Sequence, residues 1–178
     1  DYARLPTAQS DLVISPDGKY IAYSYDEKDI ILWEIHSRRE FRKLQGHLDS
    51  IAVIAFSPNN PILASSSRDQ VILWNLDQGT VIQNIKVDGV CDITFLDEDD
   101  TLGLYCPETK EVRYVNGGTG WRIADQSGYF SEASTIEFST QENLLLRFGD
   151  SSPYINIYRR GFYEPFITFS IDSLSELV

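Results

Sequence analysis

Two sequence markers recur along the 178-residue chain at an interval of about 41 residues. In the first, an apolar residue is followed by a turn. It occurs at Ile14-Ser15-Pro16, Phe56-Ser57-Pro58, Phe95-Leu96-Asp97 and Phe138-Ser139-Thr140, at intervals of 42, 39 and 43 residues. In the second, an aromatic residue closes a β-rich run, at Trp33, Trp74, Tyr114 and Tyr158, with intervals of 41, 40 and 44. Because two separate markers keep one period, we predict four structural repeats.

Within each repeat the apolar residues alternate with a period of two, which predicts strands and not helices. In the second repeat we expect strands over residues 50–56, 62–66, 71–76 and 81–85, separated by Pro, Asn, Asp and Gly turns. A meander of four short strands cannot cover both of its faces, so neighbouring repeats must stack on it. The sequence therefore predicts an all-β fold of about four four-stranded units.

Residues of the second repeat closely resemble a WD40 repeat. They are Gln45-Gly46-His47, Phe56-Ser57-Pro58, Ala64-Ser65-Ser66-Ser67-Arg68-Asp69 and Trp74-Asn75, where Asn75 replaces the usual aspartate. The first repeat is similar but has Thr7-Ala8-Gln9-Ser10 in place of Gly-His, and the last two repeats have tyrosine at the tryptophan position. The resemblance is strongest over residues 10–85. It implies a WD40-type β-propeller.

The resemblance also implies how the chain is divided. We expect one partial propeller domain over residues 1–178, with repeats at approximately 6–44, 45–85, 86–126 and 127–171. Residues 1–5 resemble the outer strand of a preceding blade, and residues 172–178 resemble the first strand of a following blade. An open array would expose apolar blade faces. We therefore expect self-association, or pairing with the remainder of a longer propeller.

The matched polar residues have a structural role in the family. The resemblance implies a buried hydrogen-bonded chain of His47, Ser65 or Ser67, Asp69 and Trp74, with Trp33 as the equivalent tryptophan of the first repeat. The interval from Leu63 to Trp74 is 11 residues, against 12 from Ile21 to Trp33, which leaves open whether Asp69 reaches His47. A catalytic His-Ser-Asp set is the alternative, but the repeat explains the same spacing without a reaction.

Composition restricts the partners and the compartment. The chain has 15 Lys and Arg against 27 Asp and Glu, and its net charge of −12 argues against nucleic acid or an anionic membrane as the main partner. Cys91 and Cys106 are too few for a disulfide scaffold, so we expect a cytoplasmic or nuclear protein with two buried, inert thiols. A hairpin register could nevertheless bring them together. With only His36 and His47 as histidines, we predict no metal site and no cofactor.

Family geometry gathers the loops at one end of the blades on a single face, where recognition usually takes place. The candidate partner-binding residues on this face are Asp49, Arg68, Asp69, Asp88, Glu108, Lys110 and Asp150. We therefore expect a protein–protein interaction scaffold that docks a protein or peptide, with a basic partner as one option. The alternatives are an architectural or sensor tail of a larger regulatory protein, and a propeller enzyme. The enzyme would need convergent catalytic groups that the sequence lacks. The sequence leaves two roles open for Trp121: packing on the outer edge of a blade, or contact with a partner at an interface.

Overall fold

The computed structural model describes residues 12–96, 100–120, 122–125, 135–139, 144–148, 154–159, 162 and 164–170. Within these ranges sixteen strands form four four-stranded antiparallel sheets, and no helix is present. The first sheet contains β1 (Leu12–Ile14), β2 (Tyr20–Tyr25), β3 (Asp29–Glu34) and β4 (Arg39–Gln45). The second contains β5 (Val53–Phe56), β6 (Ile62–Ser66), β7 (Gln70–Asn75) and β8 (Thr80–Lys86).

The remaining strands repeat this plan. The third sheet contains β9 (Asp92–Leu96), β10 (Thr101–Cys106), β11 (Glu111–Asn116) and β12 (Arg122–Asp125). The fourth contains β13 (Thr135–Phe138), β14 (Leu144–Phe148), β15 (Tyr154–Arg159) and β16 (Ile167–Ser170). Every sheet is a meander in which consecutive strands pair. The predicted all-β fold of four four-stranded units is confirmed.

The strand at the start of the second sheet is shorter than the sequence predicts. We expected it over residues 50–56, but β5 begins at Val53. The amide N–H of Ile51 donates to the carbonyl of Glu27, which belongs to the first sheet's β2–β3 loop, at 2.8 Å. Ala52 N–H still donates to the carbonyl of Ser66 at the end of β6, at 2.9 Å, so the chain leaves the second sheet at Ile51, where its N–H bonds to the first sheet instead.

Burial of both faces explains why the sheets stack. Successive residues of a strand point to opposite faces. In β7, Ile72 and Trp74 therefore join the apolar cluster shared with the first sheet, whereas Val71 and Leu73 join the cluster shared with the third. A further cluster, which includes Tyr114 and Tyr158, joins the third and fourth sheets. The middle strands of the second sheet have water on neither face.

Close approaches between sheets require glycine at two positions. A Cβ atom at Gly103 would lie 3.0 Å from the Phe138 ring, so the bare backbone lets the fourth sheet pack on the third. Gly79 has a positive φ of 69°, and a Cβ there would lie 2.5 Å from the Arg42 guanidinium. That guanidinium donates to the carbonyls of Asp77 and Gln78 at 3.0 and 3.3 Å, and so links β4 to the β7–β8 turn.

The prediction that Cys91 and Cys106 are free thiols is wrong. Both residues are fully buried, as predicted, but they form a disulfide with a Cα–Cα distance of 4.1 Å. The β9–β10 register pairs Tyr105 with Asp92, which brings Cys106 opposite Cys91 across the hairpin. The disulfide therefore ties the base of the loop before β9 to the base of the loop after β10.

We predict that reduction of this disulfide lowers the stability of the chain. The bond closes a segment with a sequence separation of 15. A loop of this length corresponds to about 3 kcal/mol in the chain-entropy model, and the hairpin's own pairing makes this an upper limit. Urea unfolding with and without a reductant measures the difference. The double variant Cys91→Ala/Cys106→Ala is the control and should show no response to the reductant; an equal response in both proteins would contradict the prediction.

Candidate functional site

A buried chain of polar groups ties the loop before β5 to the second sheet. The indole N–H of Trp74 donates to Ser65 Oγ at 2.8 Å, and Ser65 Oγ lies 2.6 Å from His47 Nε2. On the other side of the ring, His47 Nδ1 lies 3.0 Å from Ser67 Oγ, which donates to Asp69 Oδ1 at 3.1 Å. The structure thus brings five of the six residues predicted for the network into one continuous chain.

The direction of the hydrogen bonds follows from the two ends of the chain. An indole N–H can only donate and a carboxylate can only accept. We assign the directions so that each serine hydroxyl accepts one hydrogen bond and donates one. Ser65 then donates to His47 Nε2, and His47 donates from Nδ1 to Ser67. This assignment satisfies every group with a neutral imidazole. In agreement, burial lowers the pKa of His47 from 6.5 to about 4, and the Asp69 charge opposes this only in part.

Asp69 joins the network through Ser67, since the described contacts give it a hydrogen bond to Ser67 and only a charge interaction with His47. Trp33 lies outside the network. Its side chain is half-buried in β3, and its indole makes no hydrogen bond to any residue within the described ranges. The register accounts for this: Ile21 pairs with Trp33 as Leu63 pairs with Trp74, but Tyr23 stands where the second sheet has Ser65.

The burial of this network favours a structural role over a catalytic one. Ser65 and Ser67 are both 0% exposed, and each nitrogen of His47 faces one of their hydroxyl groups. A nucleophile must reach the substrate that it attacks. Neither hydroxyl is open to a substrate, and the imidazole faces hydroxyls on both sides.

Above this network the loops at one end of the sheets make a continuous surface. We define the loop face as residues 26–28, 46–52, 67–69, 87–91 and 107–110. Each loop between sheets contacts a hairpin loop beside it: Ser50 Oγ donates to Glu27 Oε2 at 3.0 Å, and Val87 N donates to the Asp69 carbonyl at 3.2 Å. A Cβ at Gly89 would lie 2.6 Å from the Glu108 carboxyl, so these two loops also touch.

The predicted partner-binding residues are distributed over this face. Asp49, Arg68, Asp69, Asp88 and Glu108 are exposed and Lys110 is half-buried, whereas Asp150 lies outside the described residues. The loop face carries six carboxylates against three Lys and Arg side chains, so it is acidic. Trp121 also lies outside the described ranges.

Sequence reasoning missed two apolar residues on the loop face. Leu48 is 73% exposed and Val90 is 38% exposed. Leu48 stands between buried His47 and exposed Asp49, at the point where the network anchors the backbone. A leucine in a polar loop, next to a residue held by the core, was the signal available in the sequence. Such a leucine can be recognised as a surface contact residue only when its exposure is known.

Two general features of the described residues bear on function. They contain no group of three or more His, Cys, Asp or Glu side chains placed to hold a metal ion. Over the same part of the chain, no helix has the length and hydropathy needed to cross a bilayer.

Comparison with known proteins identifies the repeat. Residues 38–75 match the family described as "WD domain, G-beta repeat". The human "U5 small nuclear ribonucleoprotein 40 kDa protein" is 43% identical over 56 residues, which cover 32% of this chain and 16% of that protein. The resemblance predicted from the repeats is confirmed.

Solved structures agree on the fold. The crystal structure of the Myceliophteria thermophila Cps50 (Swd1) β-propeller domain superimposes with a TM-score of 0.77 at 14% identity, over 94% of this chain and 56% of that one. Kuenenia stuttgartiensis hydrazine synthase superimposes with a TM-score of 0.73 at 13% identity, over 94% of this chain and 50% of that one. At such identities the likeness shows the β-propeller fold alone, and this chain spans about half the length of each.

We predict that Trp74 is a larger determinant of stability than Trp33. Trp74 is 1% exposed and donates to Ser65, so Trp74→Ala should cost about 3–5 kcal/mol through a cavity and an unpaired partner. Trp74→Phe should cost less but still about 1–3 kcal/mol, because it leaves Ser65 without its donor. Urea unfolding gives these values. Trp33→Phe is the matched control, and a cost as large as that of Trp74→Phe would contradict the assignment.

We also predict that His47 makes stability depend on pH. Its pKa in the folded chain is about 4, below the ordinary value of 6.5, so the unfolded chain takes up the proton first as the pH falls. The stability is complete above about pH 6.5 and is lost as the pH falls towards the folded-state pKa. Between pH 7 and pH 5 the free energy of unfolding should fall by about 2 kcal/mol.

The control for this prediction is His47→Gln, which keeps hydrogen-bonding groups and does not titrate. Its stability should be lower at pH 7 but nearly constant down to about pH 5. Asp17 does not interfere, since hydrogen bonds from Lys19 and Ser15 lower its pKa to about 2, outside this range. A variant with the same pH dependence as the parent would show that another group is responsible.

Proposed function

We propose that this chain, a WD-repeat protein with the β-propeller fold, is a protein-interaction scaffold whose loop face docks a partner protein or peptide. Its WD-repeat relatives are typically protein-interaction scaffolds. The observation that supports the site most directly is the exposure of Leu48, whose side chain is 73% exposed on a face made mostly of polar loops.

The loop face combines a rigid base with an apolar anchor and a polar rim. The network of His47, Ser65 and Trp74 fixes the backbone before Leu48. The bonds of Ser50 and Ile51 to Glu27 hold the backbone after it, so little conformational entropy is lost when a partner binds there. Binding energy in protein interfaces is concentrated in a few side chains that become buried, surrounded by polar groups. Leu48 and Val90 supply exposed apolar groups for such a contact, and the neighbouring Asp49 and Asp88 supply polar ones.

The charge of the face favours a basic partner. Six carboxylates stand against three cationic side chains on the loop face, and the whole chain has a net charge of −12. Complementary charges accelerate encounter and disfavour partners of the wrong sign. A basic peptide or protein surface therefore fits the loop face better than a nucleic-acid backbone or an anionic membrane does.

An architectural role is a second candidate, and one observation favours it. Three phenylalanine residues at the fourth sheet are exposed by 41–64%, namely Phe162, Phe166 and Phe169. Exposed aromatic side chains of this kind are suited to contact with a further blade or with a second copy of the chain. This role is compatible with docking on the loop face, because the two surfaces belong to different elements. Enzymatic activity has no such support, since the Ser65 and Ser67 hydroxyls are buried.

We further propose an intracellular site of action. The name of the human U5 relative places that protein in a small nuclear ribonucleoprotein, which supports a nuclear or cytoplasmic setting. The Cys91–Cys106 disulfide is unusual for such a compartment, where thiols are kept reduced. Because both cysteines are fully buried, reduction requires the hairpin to open, and the disulfide can persist longer than an exposed one.

We predict that Leu48→Asp abolishes partner capture. The substitution places a charge at an exposed apolar position of the loop face and leaves the side chains of the network unchanged. The immobilised protein is exposed to extract from its source cells, and each co-purified protein is quantified by mass spectrometry. Proteins retained by the parent should fall at least about tenfold, because loss of one central contact costs more than 1.4 kcal/mol.

The matched control is Ile35→Asp. Ile35 is an exposed aliphatic residue, 38% accessible, in the turn after β3 at the opposite end of the sheet. This variant should retain the parent's set of partners. If Leu48→Asp retains the same set, or if the parent captures nothing above an uncoupled matrix, the loop face is not a docking surface.

A further inference from the structure

A cavity of about 270 Å³ lies between the first strands of three successive sheets. It is lined by Val53 of β5, by Asp92, Ile93 and Thr94 of β9, and by Ile136 and Phe138 of β13. Val53, Asp92 and Ile136 stand at or next to the beginning of their strands, which is the end that carries the loop face. The cavity therefore lies next to the loop face, on the side where the sheets meet.

Asp92 is the charged residue among those that line the cavity, and within the described part of the chain no Lys, Arg or His side chain forms an ion pair with it. It makes no hydrogen bond or ion pair with any residue of the described ranges. Its partner across the β9–β10 ladder is Tyr105, which is neutral and buried. The side chain is nevertheless exposed, so a ligand can reach it.

The surroundings of this carboxylate favour a cation beside it. Burial raises the pKa of Asp92, which means that the charged form lacks part of the solvation that water would give it. A charge beside apolar walls interacts more strongly with an opposite charge than the same pair does in water. The walls of Val53, Ile93, Ile136 and Phe138 would contact the methylene groups of a long side chain, and an aromatic ring also attracts cations.

We propose that this cavity receives the cationic side chain, lysine or arginine, of the partner that docks on the loop face. This inference rests on the proposed function and specifies its chemistry: Leu48 and Val90 contact the partner's apolar groups, and Asp92 pairs with one basic side chain inserted between the sheets. Thr94 offers a hydroxyl oxygen as a second acceptor for the inserted head group.

Two other occupants fit the cavity less well. A divalent metal ion prefers several oxygen ligands, and the lining offers one carboxylate and one hydroxyl. A purely apolar side chain would fill the walls but leave the carboxylate desolvated and unpaired, which is unfavourable. A long side chain with a cationic tip satisfies both parts of the lining.

The test uses small probes that copy such a side chain. They are n-butylguanidinium and n-butylammonium, with neutral n-butylurea as the matched control, and binding is followed by NMR from the methyl signals of Val53, Thr94 and Ile136. We expect saturable shifts with the cations at millimolar concentrations, and at least about tenfold weaker binding of n-butylurea. Comparison of the two cations distinguishes arginine from lysine as the preferred side chain.

Two variants connect the binding to the carboxylate. Asp92→Asn should reduce the affinity for the cations at least about tenfold, the factor that loss of a close charge pair readily supplies. Asp77→Asn removes the same charge at an exposed position at the other end of the second sheet and should leave the affinity unchanged. If Asp92→Asn does not fold, the comparison of n-butylurea with the cations on the parent protein still decides the question.

The proposal is overturned if the cations and n-butylurea shift the same signals equally, if no probe gives saturable shifts, or if Asp92→Asn binds as the parent does. These results are independent of the Leu48→Asp capture experiment. If Leu48→Asp loses its partners but no probe binds to the parent, the loop face remains the docking surface and the cavity is rejected as a cation site. Probe binding without partner capture would retain the cation site but reject the docking surface on which its biological role depends.

Discussion

His47 holds the loop face to the body of the protein. It belongs to a loop between two sheets, yet its ring is buried and lies within hydrogen-bond distance of Ser65 and Ser67, on and just after β6. Trp74 on the neighbouring strand donates to the same Ser65 hydroxyl. One imidazole thus connects a loop, a strand and a hairpin. Hydrogen bonds from Gln70 to the Gly46 carbonyl and from Ser50 to Glu27 hold the same loop from outside the network, but His47 is its buried anchor.

The network can have this effect because the sheets beneath it are rigid. The middle strands β6 and β7 are buried on both faces, with neighbouring residues facing different sheets. Such strands cannot shift by one residue, since a slip would exchange the two sets of apolar contacts. Local links add to this, among them the Arg42 guanidinium on the carbonyls of Asp77 and Gln78. Loops on a scaffold of this kind can present side chains in a fixed arrangement.

The repeat made much of this predictable. Period-two alternation gave the strands of the second sheet, and the resemblance to a WD40 repeat gave His47, Ser65, Ser67, Asp69 and Trp74 as neighbours. These are local or repeated features, and both leave a trace in one sequence. Trp33 shows where prediction from the repeat fails. It occupies the same position in its sheet as Trp74, but Tyr23 stands in place of the serine that would accept a hydrogen bond from its indole.

Other features depend on relations that a single sequence does not contain. The pairing of Cys91 with Cys106 depends on the hairpin register, which a turn longer or shorter by one residue would change. Leu48 is indistinguishable from a core leucine until its exposure is known. The cavity at Asp92 combines strands from three repeats, so that its lining residues are up to 85 positions apart in the chain. Neither periodicity nor motif spacing reports such a meeting point.

The buried network and the acidic face are also linked through Asp69. Its carboxylate is the last acceptor of the chain that begins at Trp74, and it lies on the loop face, open to solvent. Its negative charge raises the pKa of His47 and so opposes the effect of burial. A basic partner near Asp69 would offset that charge and thereby favour the neutral imidazole that the hydrogen-bond pattern requires. At neutral pH the ring is already neutral, because its pKa is about 4. The charge of a partner near Asp69 would therefore change the stability of the network only in acid, near that pKa.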